Sequence, residues 1–271
     1  MPLSFATFKD RISGRSRVPT TTSFSTQGTP ARQADIGIAL PLYIYPAPGA
    51  WDPLYTALDK TPSTRFDIII NPNNGPQGPV PDSNYVSHIA RLNSYDNVTL
   101  YGYIHMSWGQ RDMNQIAADI DTYEAWSSFT EADIHVQGIF YDEAPTKLSC
   151  LSYVRDAHQR TKSTLTKGNK VWTNPGTIVH ERFFAFADLI NTFEDVHANW
   201  QTTTHIGRQY RNKSTFMVHT YRGSVAGLRR DVAAAVTDGY RSGLFTSNSG
   251  YEAFSTMWMD LVQGAKVGHD G

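Results

Sequence analysis

From residue 36 onward the chain switches between two hydrophobic rhythms. Short runs in which nearly every position is apolar, branched or aromatic alternate with longer stretches where apolar residues recur every three or four positions. The first rhythm is that of strands buried on both faces, and the second is that of amphipathic helices. Eight strands are predicted, over 36–45, 66–71, 98–105, 136–142, 170–173, 189–194, 215–221 and 243–246. Most follow their predecessor by about 20 to 40 residues, the spacing of repeated βα units.

Helix signals fill the intervals. Asp52-Pro53 predicts a cap followed by proline at the first helical position, with Leu54 and Leu58 one turn apart behind it. Asp82 precedes Tyr85, Ile89 and Leu92, and Asp112 precedes Ile116, Ile120 and Tyr123. Two later stripes are Val225, Leu228 and Val232, and Phe254, Met257, Trp258 and Leu261. Each stripe would bury one helix face. The connection over 174–188 is short, and the one over 197–213 has poor periodicity. Strands alternating with helices eight times predict an α/β protein, a single-domain (β/α)8 TIM barrel over 34–271. No G-x-G-x-x-G or P-loop pattern follows the first strand, which argues against an open nucleotide-binding sheet.

Composition narrows the classes. A net charge of −1 without a Lys/Arg cluster predicts no nucleic-acid partner. No apolar run approaches the roughly 20 residues that cross a bilayer, so no transmembrane segment is expected. A single cysteine, Cys150, excludes an intramolecular disulfide and a Cys-rich metal site. Residues 1–33 are basic and rich in Ser, Thr and Arg, with Asp10 as their only acid, and are expected to be a flexible leader. They lack the apolar centre of a secretory signal. The sequons at Asn97 and Asn212 matter only on a secretory route, and the compartment stays open.

In such a barrel the chemistry gathers at the C-terminal ends of the strands. Those ends carry Tyr45, Asn73, His105, Trp108, Tyr141, Asp142, Glu143, Trp172, Asn174, Glu194, Tyr221 and Asn248. Acids, amides and aromatic rings with few lysines make the chemistry of a sugar cleft, where rings stack on C–H faces and polar groups hold hydroxyls. Asp142 and Glu143 end the fourth strand, where alternation would send them to opposite faces, and Glu194 ends the sixth. Opposed carboxylates across a barrel mouth are what a glycosidase needs. Capping or ion pairing is the plain alternative for each acid, packing for Trp108 and Trp172, and a hydrogen-bonded wall for His105. His105, Asp142, Glu143 and His219 could form a mixed metal site, but no local ligand pair supports it, and no metal or cofactor is expected.

Four blocks of sequence carry a resemblance. Pro41-Leu42-Tyr43-Ile44-Tyr45-Pro46, Ile68-Ile69-Ile70-Asn71-Pro72-Asn73-Asn74-Gly75-Pro76, Tyr101-Gly102-Tyr103-Ile104-His105 and Gly138-Ile139-Phe140-Tyr141-Asp142-Glu143-Ala144-Pro145 resemble the spherulin-4 family. That family is similar to the fungal enzymes of glycoside hydrolase family 135. The resemblance implies an endo-α-1,4-N-acetylgalactosaminidase acting on galactosaminogalactan, a fungal polymer of galactose and N-acetylgalactosamine. It also implies an extracellular or cell-wall location. The family's acid pair falls on Asp142 and Glu143, and its further acid falls on Glu194. Asp142 is then expected as nucleophile, Glu194 as acid and base, and Glu143 as a residue that holds substrate or tunes Asp142. Tyr45, Asn73, His105, Trp108, Tyr141, Trp172, Asn174, Tyr221 and Asn248 are the expected substrate-binding set. The expected partner is a polysaccharide, and the expected assembly is a monomer. Alternatives are a non-catalytic glycan-binding wall or spore-coat protein, and an enzyme preferring deacetylated polymer.

Overall fold

A computed structural model of the 271-residue chain describes residues 36–200 and 206–265. The expected leader, 1–33, lies outside the described residues. The strands are β1 (Gly37–Leu42), β2 (Phe66–Ile70), β3 (Val98–His105), β4 (Gly138–Asp142), β5 (Lys170–Thr173), β6 (Leu189–Val196), β7 (Ser214–His219) and β8 (Ser242–Phe245). All pair in parallel and in chain order, and β8 returns to β1 through Gly37–Ser242 and Ile38–Gly243. The result is a closed TIM barrel.

Among the described residues six α-helices wrap the barrel: α1 (Asp52–Lys60), α2 (Ser83–Asn93), α3 (Met113–Ser127), α4 (Leu151–Thr164), α5 (Val225–Asp238) and α6 (Trp258–Gly264). Asp82 caps α2 by accepting from the Asn84 and Tyr85 amides, and Asp112 caps α3 through Asn114. Asp52 is not a cap. It is the first residue of α1, behind Trp51, where its charge faces the positive end of the helix dipole. α3 buries Ile116, Ile120, Tyr123 and Trp126, a stripe worth about 1.5–3 kcal/mol per large apolar side chain.

Eight helices are expected, and the described residues hold six. Among the described residues after β5 and β6 stand 3-10 turns, at Glu181–Ala185, His197–Asn199 and Arg208–Lys213. These segments have no 3.6-residue stripe to bury. Instead Phe184 stacks on Tyr210 at 4.7 Å, and Trp200 packs on Phe193 and Phe216 at 5.2 and 4.5 Å.

Partners in parallel strands share a face, so the register sorts the side chains. Tyr103, Phe140 and Trp172 lie in one row, and His105 pairs with Asp142 one step further along. Trp172 lies edge-on to Tyr101 and Phe140 at 5.2 and 5.0 Å and donates its indole N–H to Thr215 Oγ1 at 3.0 Å. These rings fill the barrel interior beneath the strand ends. In β6 a bulge between Asn191 and Phe193 shifts the register by one residue. Without it, Asn191 and Glu194 would face opposite sides; with it, their side chains meet.

Among the described residues, five that are not glycine have positive φ: Asn74, Ser107, Trp108, Glu143 and Thr220, between 46° and 53°. Each lies in a loop leaving the C-terminal end of a strand.

Candidate active site

Asp142 is the last residue of β4 and points into the barrel mouth. Its Oδ2 accepts from the Tyr103 hydroxyl at 2.9 Å, while Oδ1 accepts from Asn174 Nδ2 at 2.8 Å and from the Glu143 amide at 2.9 Å. Glu194 approaches from β6. Its Oε2 accepts from the same Asn174 Nδ2 at 2.6 Å and from Asn191 Nδ2 at 3.3 Å, and its Oε1 accepts from the Tyr251 hydroxyl at 2.8 Å. One amide nitrogen therefore bridges two carboxylates. Their facing oxygens lie no farther apart than the two bonds end to end, about 5.4 Å (2.8 plus 2.6).

The Asn174 orientation is fixed from behind. Its Oδ1 accepts from the Gly176 amide and from Asn191 Nδ2, both at 2.9 Å. A flipped amide would set that oxygen against two carboxylate oxygens. Burial, and then the Asp142 charge, push the Glu194 carboxyl above the ordinary glutamate range, against the pull of its Asn174, Tyr251 and Asn191 donors. Burial also raises the Tyr103 and Tyr251 phenols, with the neighbouring carboxylates adding to it, so both stay protonated and available as donors.

Glu143 sits one residue past the strand. Its φ of 52° breaks the alternation that would carry it to the outer face, and its Oε2 comes 3.8 Å from His105 Nδ1 at the mouth. His105 Nδ1 also meets Ser107 Oγ at 2.9 Å. The Trp108 amide donates to the Glu143 carbonyl at 2.7 Å and the Met106 amide to the Asp142 carbonyl at 2.8 Å, so the loop after β3 is fastened to the acid pair. Trp108 itself is 65% exposed, with φ of 53°. Tyr45 is 52% exposed, its hydroxyl held by Asn84 Nδ2 at 2.9 Å and its ring edge-on to Tyr85. Both rings have open surface for a sugar. Asn73 is exposed in the loop after β2.

Four expected binding residues do other work. Tyr141 is fully buried on the outer face of β4, stacked on His158, with its hydroxyl bonded to Thr161 Oγ1 and the Ala157 carbonyl. Trp172 is interior core. Tyr221 follows β7 but turns outward, donating to Asp231 Oδ2 at 2.7 Å beneath the His197 ring. Asn248 Nδ2 bonds the Ala253 carbonyl at 2.8 Å and so braces the loop that carries Tyr251. Position at a strand end predicts the rim but not the face. Conversely, Tyr103 stands outside the expected set although it lies two residues before His105 on the same face, where a period of two places it. Asn191 depends on a bulge, and Tyr251 on an aperiodic loop, neither of which carries a sequence signal. Among the described residues no group of three or more His, Cys, Asp or Glu has the arrangement of a metal site. No described helix is long and apolar enough to cross a membrane.

Comparison with known proteins finds relatives in both sequence and fold. Spherulin-4 of Physarum polycephalum is 33% identical over 215 residues, which are 75% of this chain and 61% of that protein. The chain thus spans less than two thirds of that relative. The crystal structure of Aspergillus clavatus Sph3 in complex with GalNAc superposes with a TM-score of 0.78 at 32% identity, covering 85% of this chain and 97% of the other. An endo-beta-1,4-mannanase from Thermotoga petrophila, 11% identical, superposes with a TM-score of 0.50 over 88% of this chain and 77% of its own, a likeness of fold alone. The pattern of spherulation-specific family 4 matches residues 37–265. The chain is a TIM barrel and belongs to the spherulin-4 family.

Proposed function

We propose that this protein is an endo-acting glycoside hydrolase that cleaves α-1,4-linked N-acetylgalactosamine in a galactosaminogalactan-type polysaccharide. The observation that carries the reading is the pair of carboxylates held on either side of one amide nitrogen at the barrel mouth. A separation of about 5–5.5 Å between carboxyls is that of retaining enzymes, whereas inverting ones leave about 6.5–9.5 Å for a water. The bound of about 5.4 Å favours retention. The GalNAc in Sph3 supports the choice of sugar.

In the first step an Asp142 oxygen attacks the anomeric carbon while the glycosidic C–O bond breaks and its oxygen takes the proton of Glu194. The product is a glycosyl ester on Asp142, with Glu194 left as carboxylate. In the second step Glu194 removes a proton from water, the water oxygen bonds to the anomeric carbon, and Asp142 is released. The raised Glu194 carboxyl suits the group that must begin protonated. Glu143, beside His105 and partly open to solvent, holds a substrate hydroxyl or amide. The test is release of short oligosaccharides from purified acetylated and deacetylated polymer by the parent protein, Asp142→Asn and Glu194→Gln. Each variant should lose at least about 100-fold in rate. Folded variants with near-parental turnover would remove the assignment, and binding without release by the parent would make the protein a lectin.

A further inference from the structure

The two oxygens of Glu194 face different kinds of partner. Among the described residues Oε2 receives only amide N–H groups, from Asn174 and Asn191, and Asn174 cannot turn because its own oxygen is engaged by Gly176 and Asn191. An amide N–H donates and never accepts, so a proton on Oε2 would point at a donor. Oε1 meets the Tyr251 hydroxyl instead. A hydroxyl rotates and can donate to a carboxylate or accept from a carboxylic acid, so it alone among these partners suits both states of the group.

We propose that Tyr251 is a positioning residue that fixes the exchangeable proton of Glu194 on Oε1, the oxygen turned away from Asn174. This rests on the reading of Glu194 as the acid. When Glu194 is a carboxylate, Tyr251 donates to it. When Glu194 carries its proton, the same hydroxyl turns to accept, and the proton is kept on the one oxygen free of amide donors. When the glycosidic oxygen arrives, the Oε1 proton turns from the Tyr251 hydroxyl to that oxygen and is transferred to it, and the tyrosine turns back to donate as charge appears on Oε1.

The ring is held for this purpose. Tyr251 stands edge-on to Tyr43 at 5.9 Å, Tyr43 stands edge-on to Tyr103 at 5.7 Å, and Tyr103 donates to Asp142. Three aromatic residues from three separate strands and loops thus tie the Glu194 side of the mouth to the Asp142 side. The titratable groups facing Glu194 are Asp142 from β4, Tyr251 from the loop after β8, and Tyr103 and Tyr43 at the ends of β3 and β1. Removing only the Tyr251 hydroxyl takes away a donor that favours the Glu194 carboxylate, so the carboxyl should hold its proton to higher pH.

The experiment is kcat/KM against pH on N-acetylgalactosamine oligosaccharides for the parent, Tyr251→Phe and Glu194→Gln. Titration of 13C-carboxyl-labelled glutamate by NMR runs beside it, with Glu194 assigned by its loss in Glu194→Gln. Tyr251→Phe should move the alkaline limb and the Glu194 resonance upward by about one pH unit. It should lower kcat about tenfold with little change in KM. A Tyr251→Phe limb and resonance that both coincide with the parent, while Glu194→Gln is inactive, would overturn the role of Tyr251 and leave the acid assignment standing. Near-parental turnover in Glu194→Gln would remove the acid assignment and this inference with it. The NMR titration separates the two failures because it reads the carboxyl without any turnover.

Discussion

Truncating Trp172 and Trp108 in turn should separate folding from ligand binding. Both stand near strand ends and both are rings that a sugar could use, yet Trp172 is fully buried and Trp108 is 65% exposed. Trp172→Ala would empty the space between Tyr101 and Phe140 and take a donor from the Thr215 hydroxyl. Such a truncation in a core costs about 3–5 kcal/mol. In a domain of this size each kcal/mol moves the melting temperature by about 2–4 °C, so a fall of roughly 6–20 °C is expected. Trp108→Ala touches no core and should stay within about 0.5 kcal/mol of the parent. It should instead raise KM about 5–30-fold, the loss of about 1–2 kcal/mol of ring contact with a sugar. Thermal melts and initial rates on N-acetylgalactosamine oligosaccharides read both effects, and Trp172→Phe serves if the alanine variant does not fold. A Trp172 variant that melts normally but binds weakly, or a Trp108 variant that does the reverse, would refute the division.

Two further outcomes follow from the packing and the charges. A carboxyl raised in the folded state contributes most favourably below its unfolded value, and that contribution is lost as pH rises through the folded one. Glu194→Gln should therefore raise the melting temperature above the folded value, with the gain vanishing as pH falls below the ordinary glutamate range; a gain that grows on acidification would contradict this. Gly102→Ala would set a Cβ 2.6 Å from the Tyr123 ring, which packs on Trp126 at 4.8 Å and donates to the Tyr103 carbonyl. It should cost about 1–3 kcal/mol in chemical denaturation, and a change under about 0.5 kcal/mol would mean that the ring can move aside.

The strands are legible in the sequence because a parallel barrel buries both faces of each one. Phe66-Asp67-Ile68-Ile69-Ile70 has no alternation to misread, and its only polar residue is itself fully buried. The outer wall is less legible. Where helices form, Asp82 and Asp112 announce them. Where the wall is built from Phe184, Tyr210 and Trp200 in irregular loops, no period exists to detect. Asp142, Glu143, Asn174 and Glu194 were legible as strand-end residues, and the structure gathers them at the mouth. The task of Asn174 was not legible, since an amide between two acids emerges only when β4, β5 and β6 are placed side by side. Tyr141 and Trp172 misled for the complementary reason: adjacency to a strand end says nothing of which side a ring takes until the neighbouring register is known.

Among the described residues, the five left-handed positions at 74, 107, 108, 143 and 220 gather the backbone tension of the barrel at its crown. Each β-carbon held in that conformation is disfavoured by about 1–2 kcal/mol, a debt that glycine would cancel. At 143 the same change would also erase a carboxylate. At 108 it would erase the exposed ring, so sturdiness and the proposed chemistry are opposed at both positions.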